Sequence, residues 1–67
     1  MEITGQFLHN DVTHTYLIQK VNDNVYSNTI VGVDENKIPF EREFLMGDEL
    51  VIKFLEKHNN LTGLKKL

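Results

Sequence analysis

The 67-residue chain has no cysteine, no tryptophan, one proline and four scattered glycines. Without cysteine there is no disulfide, no thiol catalysis and no Cys-based zinc site, and the composition fits a reducing compartment. No stretch approaches the ~20 apolar residues that a membrane helix needs. The amino end, Met1 to Phe7, has neither a basic start nor an apolar run, so it does not read as a signal peptide. The expectation is a cytoplasmic protein with no membrane partner. Gly5, Gly32, Gly47 and Gly63 are too dispersed to cradle a phosphate, which argues against a nucleotide cofactor.

Catalytic groups are equally sparse. Ser27 is the only serine, and no nucleophile elbow or oxyanion-type glycine pattern surrounds it. His9 and His14 flank Asp11, and a hairpin could bring the two rings together. A zinc site needs at least three converging ligands, and no further pair completes one. Glu41 and Glu43 lie two apart, as acid–base carboxylates can, yet the polar outer face of an edge strand explains them more simply. A chain of this size also lacks the walls of a sizeable substrate pocket. No enzyme, metal or cofactor is expected.

What the chain does have is β-sheet chemistry. Sixty-seven residues make one domain with a modest core, which self-association as a homodimer could complete. Residues 2–8 read as a first strand, with Ile3 and Phe7 on one side and Gly5 between them marking a bulge or a close backbone approach. His9-Asn10-Asp11 is a turn, Val12 to Val21 a second strand, Asn22-Asp23-Asn24 a turn and Val25 to Val33 a third strand. A three-residue loop in this hairpin sets Tyr16 opposite Ile30, whereas a two-residue loop shifts every pair by one. After the polar turn at 34–37, Ile38 to Leu45 forms a fourth strand whose Pro39 suits an edge.

The stretch from Phe40 to Leu55 holds three of the four phenylalanines and decides the architecture. Read as a strand, residues 49–57 follow a Gly47-Asp48 turn and centre on the β-branched pair Val51-Ile52. Five strands then curl into a small SH3-like antiparallel barrel, which is the favoured reading. Read as a helix from about residue 48 to 60, Asp48 is the N-cap and Glu49, Lys53, Glu56, Lys57 and Asn60 form one polar arc. The alternative is then an α+β fold, a four-stranded antiparallel sheet with one C-terminal helix. Either arrangement is expected to bury Phe7, Ile18, Val31, Phe40, Phe44 and Phe54. Leu61 to Leu67 adds one short turn, with Leu61 and Leu64 facing in.

Val33 to Glu41, followed by Gly47-Asp48-Glu49-Leu50, resembles the DNA-binding half of swapped-hairpin regulators and antitoxins of the AbrB type. The likeness covers about a third of the chain and implies that Gly47-Asp48 opens a strand and that two chains interlock. The spacing from Pro39 to Gly47 is shorter than that family's, and the region before Ile38 is acidic where the family is basic.

Net charge is −3 but divided, with nine acidic and three basic side chains in residues 1–52 and one acidic and four basic in residues 53–67. The functional expectation is a small non-enzymatic protein that binds another protein, as an adaptor, regulator or inhibitor (phage-encoded inhibitors are of this kind), through a sheet edge or its acidic surface. Tyr16, Tyr26 and Arg42 are of the types that anchor interfaces. The alternative from a different class is nucleic-acid binding through Lys53, Lys57, Lys65 and Lys66. A third is a structural subunit completed by self-assembly.

Overall fold

A computed structural model describes all 67 residues. Four strands, β1 (Glu2–His9), β2 (Val12–Asn22), β3 (Val25–Val33) and β4 (Pro39–Gly47), are followed by helix α1 (Asp48–Lys57) and a short helix α2 (Leu61–Lys65). The strands pair antiparallel in chain order as an open meander, so β1 and β4 are both edges. The fold is mainly β, and its four-stranded open sheet with a following helix is nearer the α+β alternative, although that helix ends at Lys57 and a second one follows. The five-stranded SH3-like barrel is corrected.

The correction comes from residues 48–57, which are helical and not a fifth strand. The β-branched pair Val51-Ile52 prefers a strand only weakly. As a helix the segment places Val51 and Leu55, four apart, in full burial and leaves Glu49, Lys53, Glu56 and Lys57 in solvent. Gly47, not Asp48, is the N-cap and makes no side-chain cap bond, while Asp48 and Glu49 face the positive helix end from its first turn. Gly47-Asp48 therefore opens a helix, contrary to what the AbrB-type resemblance implies. The helix closes in a Schellman motif: Asn59 is left-handed (φ 54°), and the Asn60 and Asn59 amides donate to the Leu55 and Glu56 carbonyls.

Each turn has its own physical cause. Asn10 and Asp11 both take positive φ, the signature of a two-residue type I′ hairpin between His9 and Val12. In the second hairpin Tyr16 pairs with Ile30, as a three-residue loop requires, yet the last pair, Asn22 with Val25, encloses two residues. A bulge at Val21 reconciles the two registers. In the third, Lys37 donates to the Asp34 carbonyl, the Asp34 amide donates to the Ile38 carbonyl, and Lys37 sits at φ 63°. This is a type I turn with a G1-type bulge. The Asp34 carboxylate holds it by accepting from the Asn36 and Ile38 amides.

One sheet face carries Ile3, Gly5 and Phe7, then His14, Tyr16 and Ile18, then Tyr26, Asn28, Ile30 and Gly32, then Phe40, Arg42, Phe44 and Met46. Ile3, Tyr16, Ile18 and Tyr26 form the core with Val51 and Leu55, and Phe7, Ile30, Met46, Phe54 and Leu64 pack around them. Of the expected core, Ile18 is fully buried and Phe7 and Phe54 are half-buried. Val31 is corrected to the opposite face, where nothing covers it, and Phe44, at the β4 edge, stays 47% exposed. Phe40 is half-buried, and Leu61 is exposed while Leu64 packs inward.

Asn28 is buried between Ile18 and Phe44 with its Oδ1 unpartnered. An unpaired buried acceptor costs about 1–3 kcal/mol. Asn28→Val is therefore expected to raise unfolding stability by about 1–2 kcal/mol in urea denaturation, since it removes that penalty and suits a strand. A loss of stability would show that the amide has a partner in solution.

Candidate functional site

Two glycines set the geometry of the covered face. Tyr16 leans toward β1 and lies across Gly5, where a Cβ would meet its hydroxyl oxygen at 2.2 Å. His14, its neighbour on the same strand, leans the other way and covers Gly32, where a Cβ would meet the ring at 2.8 Å. Gly32 pairs with Phe40, so this gap lets an aromatic row cross the whole sheet. His58 stacks on Phe7 at 4.5 Å, Phe7 on His14 at 5.2 Å, and His14 meets Phe40 at 5.4 Å. Arg42 ends the row with its guanidinium 5.5 Å from the Phe40 ring centroid, a cation–π contact.

The histidines occupy this row for packing. His14 is buried and its Nδ1 lies 3.0 Å from the Val12 carbonyl. A carbonyl can only accept, so Nδ1 carries a proton in this bond. His9 and His14 do come together, at 5.7 Å edge to face. No group of three or more His, Asp or Glu side chains converges to hold a metal. His58 is held below the usual imidazole range, first by burial and then by the neighbouring Lys57 charge. Burial against Phe7 and Phe54 thus outweighs the pull of the helix C-terminus toward the cation.

The C-terminal segment is bracketed to the sheet by Asn60. Its Nδ2 donates to the Tyr16 hydroxyl at 2.8 Å and to the Thr4 carbonyl at 3.2 Å, while its Oδ1 accepts from the Gly63 amide at 2.8 Å. One side chain therefore caps α2 and joins it to β1 and β2. Lys66 Nζ donates to the Glu2 carbonyl at 3.0 Å. In the β1–β2 ladder the closing pair is His9–Val12, so the odd-numbered positions of β1 bond to β2 and the even ones face outward. Thr4 and Glu2 are outward positions, and the carbonyls of both are taken. The Glu2–Thr4 half of the β1 edge is blunted, while Gln6 and Leu8 keep their outward backbone groups.

The β4 edge is not. Asp34–Ile38 closes the third hairpin by a backbone bond, so positions 40, 42, 44 and 46 bond to β3 and 39, 41, 43 and 45 face outward. Pro39, which has no N–H, thus sits where no ladder bond is lost. The amides and carbonyls of Glu41, Glu43 and Leu45 have no strand beyond them. Seven of the nine β4 residues are exposed, among them Phe44 at 47% and Leu45 at 69%. At the turn end of this strand Phe40 and Arg42 help to wall an open cleft of about 550 Å³ with His9, Asp34, Glu35 and Lys37.

The residues expected to bind partners separate here. Tyr16 and Tyr26 are 1% and 5% exposed and serve the core, so neither offers a ring to a partner in this conformation. Arg42 is exposed on β4. Lys53 and Lys57 lie on the solvent side of α1, Lys65 in the last turn of α2, and Lys66 is occupied with β1. Ser27 lies mid-strand between Gln19 and Leu45. Glu41 and Glu43 share the outer sheet face at the free edge. Asn60 was missed because its only sequence signal, three polar residues closing a helix, also describes a solvated loop. No protein family model matches the chain, and no curated protein or solved structure is significantly similar to it. No helix is long and apolar enough to cross a membrane.

Gly5→Ala is expected to push Tyr16 off both the glycine and Asn60, costing about 2–4 kcal/mol of stability by urea denaturation. Near-wild-type stability would mean that the ring has room to move. For His58, burial disfavours the cation, so the unfolded chain takes up its proton first as pH falls. Its stabilising effect is complete above the ordinary value of 6.5 and is lost as pH drops through and below it. Melting temperature should fall between pH 7 and pH 5, and His58→Gln should flatten that slope. An unchanged slope would remove His58 as its source.

Proposed function

We propose that this chain is a small non-enzymatic protein-binding protein, an adaptor or inhibitor suited to a reducing cytoplasm, that engages its partner along β4. The observation that supports this reading is the asymmetry of the two edges. The C-terminal segment occupies the outward carbonyls of Glu2 and Thr4 on β1, whereas β4 keeps its outward backbone groups free. A long edge with unburied apolar side chains is ordinarily an aggregation hazard, and proteins keep one where it serves binding. Adding a partner strand supplies affinity through main-chain hydrogen bonds and specificity through side chains on both faces.

Proline substitution separates the two sides of the strand. Glu43→Pro removes an outward amide, so the fold should be retained within about 1 kcal/mol while strand addition is blocked. Phe44→Pro removes an amide bonded to β3 and should destabilise the sheet far more. Capture from the native cell lysate is expected to give a protein partner that survives nuclease treatment and is lost with Glu43→Pro. Retention of that partner by folded Glu43→Pro would overturn the edge reading. Loss of all captured material on nuclease treatment would instead favour nucleic-acid binding through Lys53, Lys57, Lys65 and Lys66.

A further inference from the structure

Resting on the reading of β4 as the docking edge, we infer that its partner segment is an extended peptide with basic residues two apart on one face and apolar residues on the other. The ladder fixes which groups an added strand would meet. Its backbone pairs with Glu41, Glu43 and Leu45, the outward positions of β4. Side chains of paired residues share a face, so the residues opposite Glu41 and Glu43 stand together on the outer face and directly against two exposed carboxylates. Neither carboxylate has a salt-bridge or hydrogen-bond partner of its own among the side-chain bonds of the protein. Opposite charges at directly facing positions favour the pair, and like charges disfavour it.

The other face asks for apolar groups. Phe40 and Phe44 lie four positions apart there, and Arg42 between them is folded over the Phe40 ring. Phe44 is 47% exposed, and a residue opposite it would complete a burial that the chain leaves half done. The segment therefore reads apolar, basic, small polar, basic, apolar along its length.

A second copy of this chain fits less well, for reasons of register. The fullest antiparallel self-pairing of residues 39–47 is centred on Glu43 and sets that carboxylate against its own copy. Sliding to a centre at Arg42 sets Glu41 against Glu43 in both directions. Both registers carry the repulsion that protects sheet edges from association, whereas the shifted register centred on Phe44, which gives up Pro39 and Phe40, escapes it.

The test uses two labelled peptides containing Val-Lys-Thr-Lys-Ile-Thr or its twin Val-Glu-Thr-Glu-Ile-Thr, with fluorescence anisotropy against the full chain at low salt. The Lys peptide should bind at least tenfold tighter than the Glu peptide. Glu41→Lys/Glu43→Lys should invert the preference, while the charge-matched Asp23→Lys/Glu56→Lys should leave its direction intact. N-methylation of the amides that face β4 should abolish binding of the Lys peptide, which separates strand addition from simple ion pairing. Equal affinity of the two peptides, absence of binding by both up to millimolar concentration, or a preference that persists in Glu41→Lys/Glu43→Lys would overturn the inference. So would a homodimer in sedimentation that Glu43→Pro dissolves, because it would place a second copy on the strand. If the Glu43→Pro protein loses its lysate partner while the peptides bind equally, only the partner chemistry fails. If that variant keeps the partner, the docking reading itself fails.

Discussion

The Asn60 side chain holds this small structure together at the place where it is weakest. An open four-stranded sheet has two edges, and this one has a core of only six buried apolar side chains. Asn60 joins the Tyr16 hydroxyl, the Thr4 carbonyl and the Gly63 amide, so β1, β2 and α2 meet at one amide group. That arrangement needs Tyr16 to lie flat across Gly5, because any Cβ there would displace the ring. It also needs the Schellman turn that brings the chain back after α1. Local backbone geometry, the core tyrosine and the fate of the β1 edge are therefore one coupled feature.

From that coupling the functional asymmetry follows. The C-terminal segment takes up the outward carbonyls of Glu2 and Thr4 on β1, while no strand pairs with the outer side of β4. Phe44 stays exposed because α1 packs over Ile18, Tyr16 and Tyr26 and does not extend beyond the far edge, whereas Leu45 lies on the opposite sheet face, which no helix covers. A partner strand on β4 would bury these side chains and pair the free amides, so binding and stability should rise together by mass action. The aromatic row from His58 to Arg42 stiffens the same face, linking the end of α1 to the middle of β4 through stacked rings.

The turns were legible in the sequence because their chemistry is local. Asn10 and Asp11 tolerate the left-handed backbone, Asp34 bonds its own main chain, and Pro39 marked an edge strand through the donor it lacks. Gly5 was expected to mark a bulge or a close backbone approach, but the register is unbroken there and it is the Tyr16 side chain that approaches. The second hairpin offered two registers because both occur, separated by the Val21 bulge. The segment 49–57 was misread because Val51-Ile52 signals a strand locally, while the helical burial of Val51 and Leu55 exists only once the sheet is beneath them. Val31 and Phe44 were counted as core without knowing which face the helix covers or how far it reaches, and their true exposure depends on both. The roles of Asn60 and Gly32 are tertiary and left no local trace.

The most direct test of a free β4 edge is amide hydrogen exchange along residues 40–46, followed by NMR at micromolar concentration. Slow exchange at Phe40, Arg42, Phe44 and Met46, with fast exchange at Glu41, Glu43 and Leu45, is the expected alternation. Uniform protection across the strand would contradict it and show that the edge is already paired.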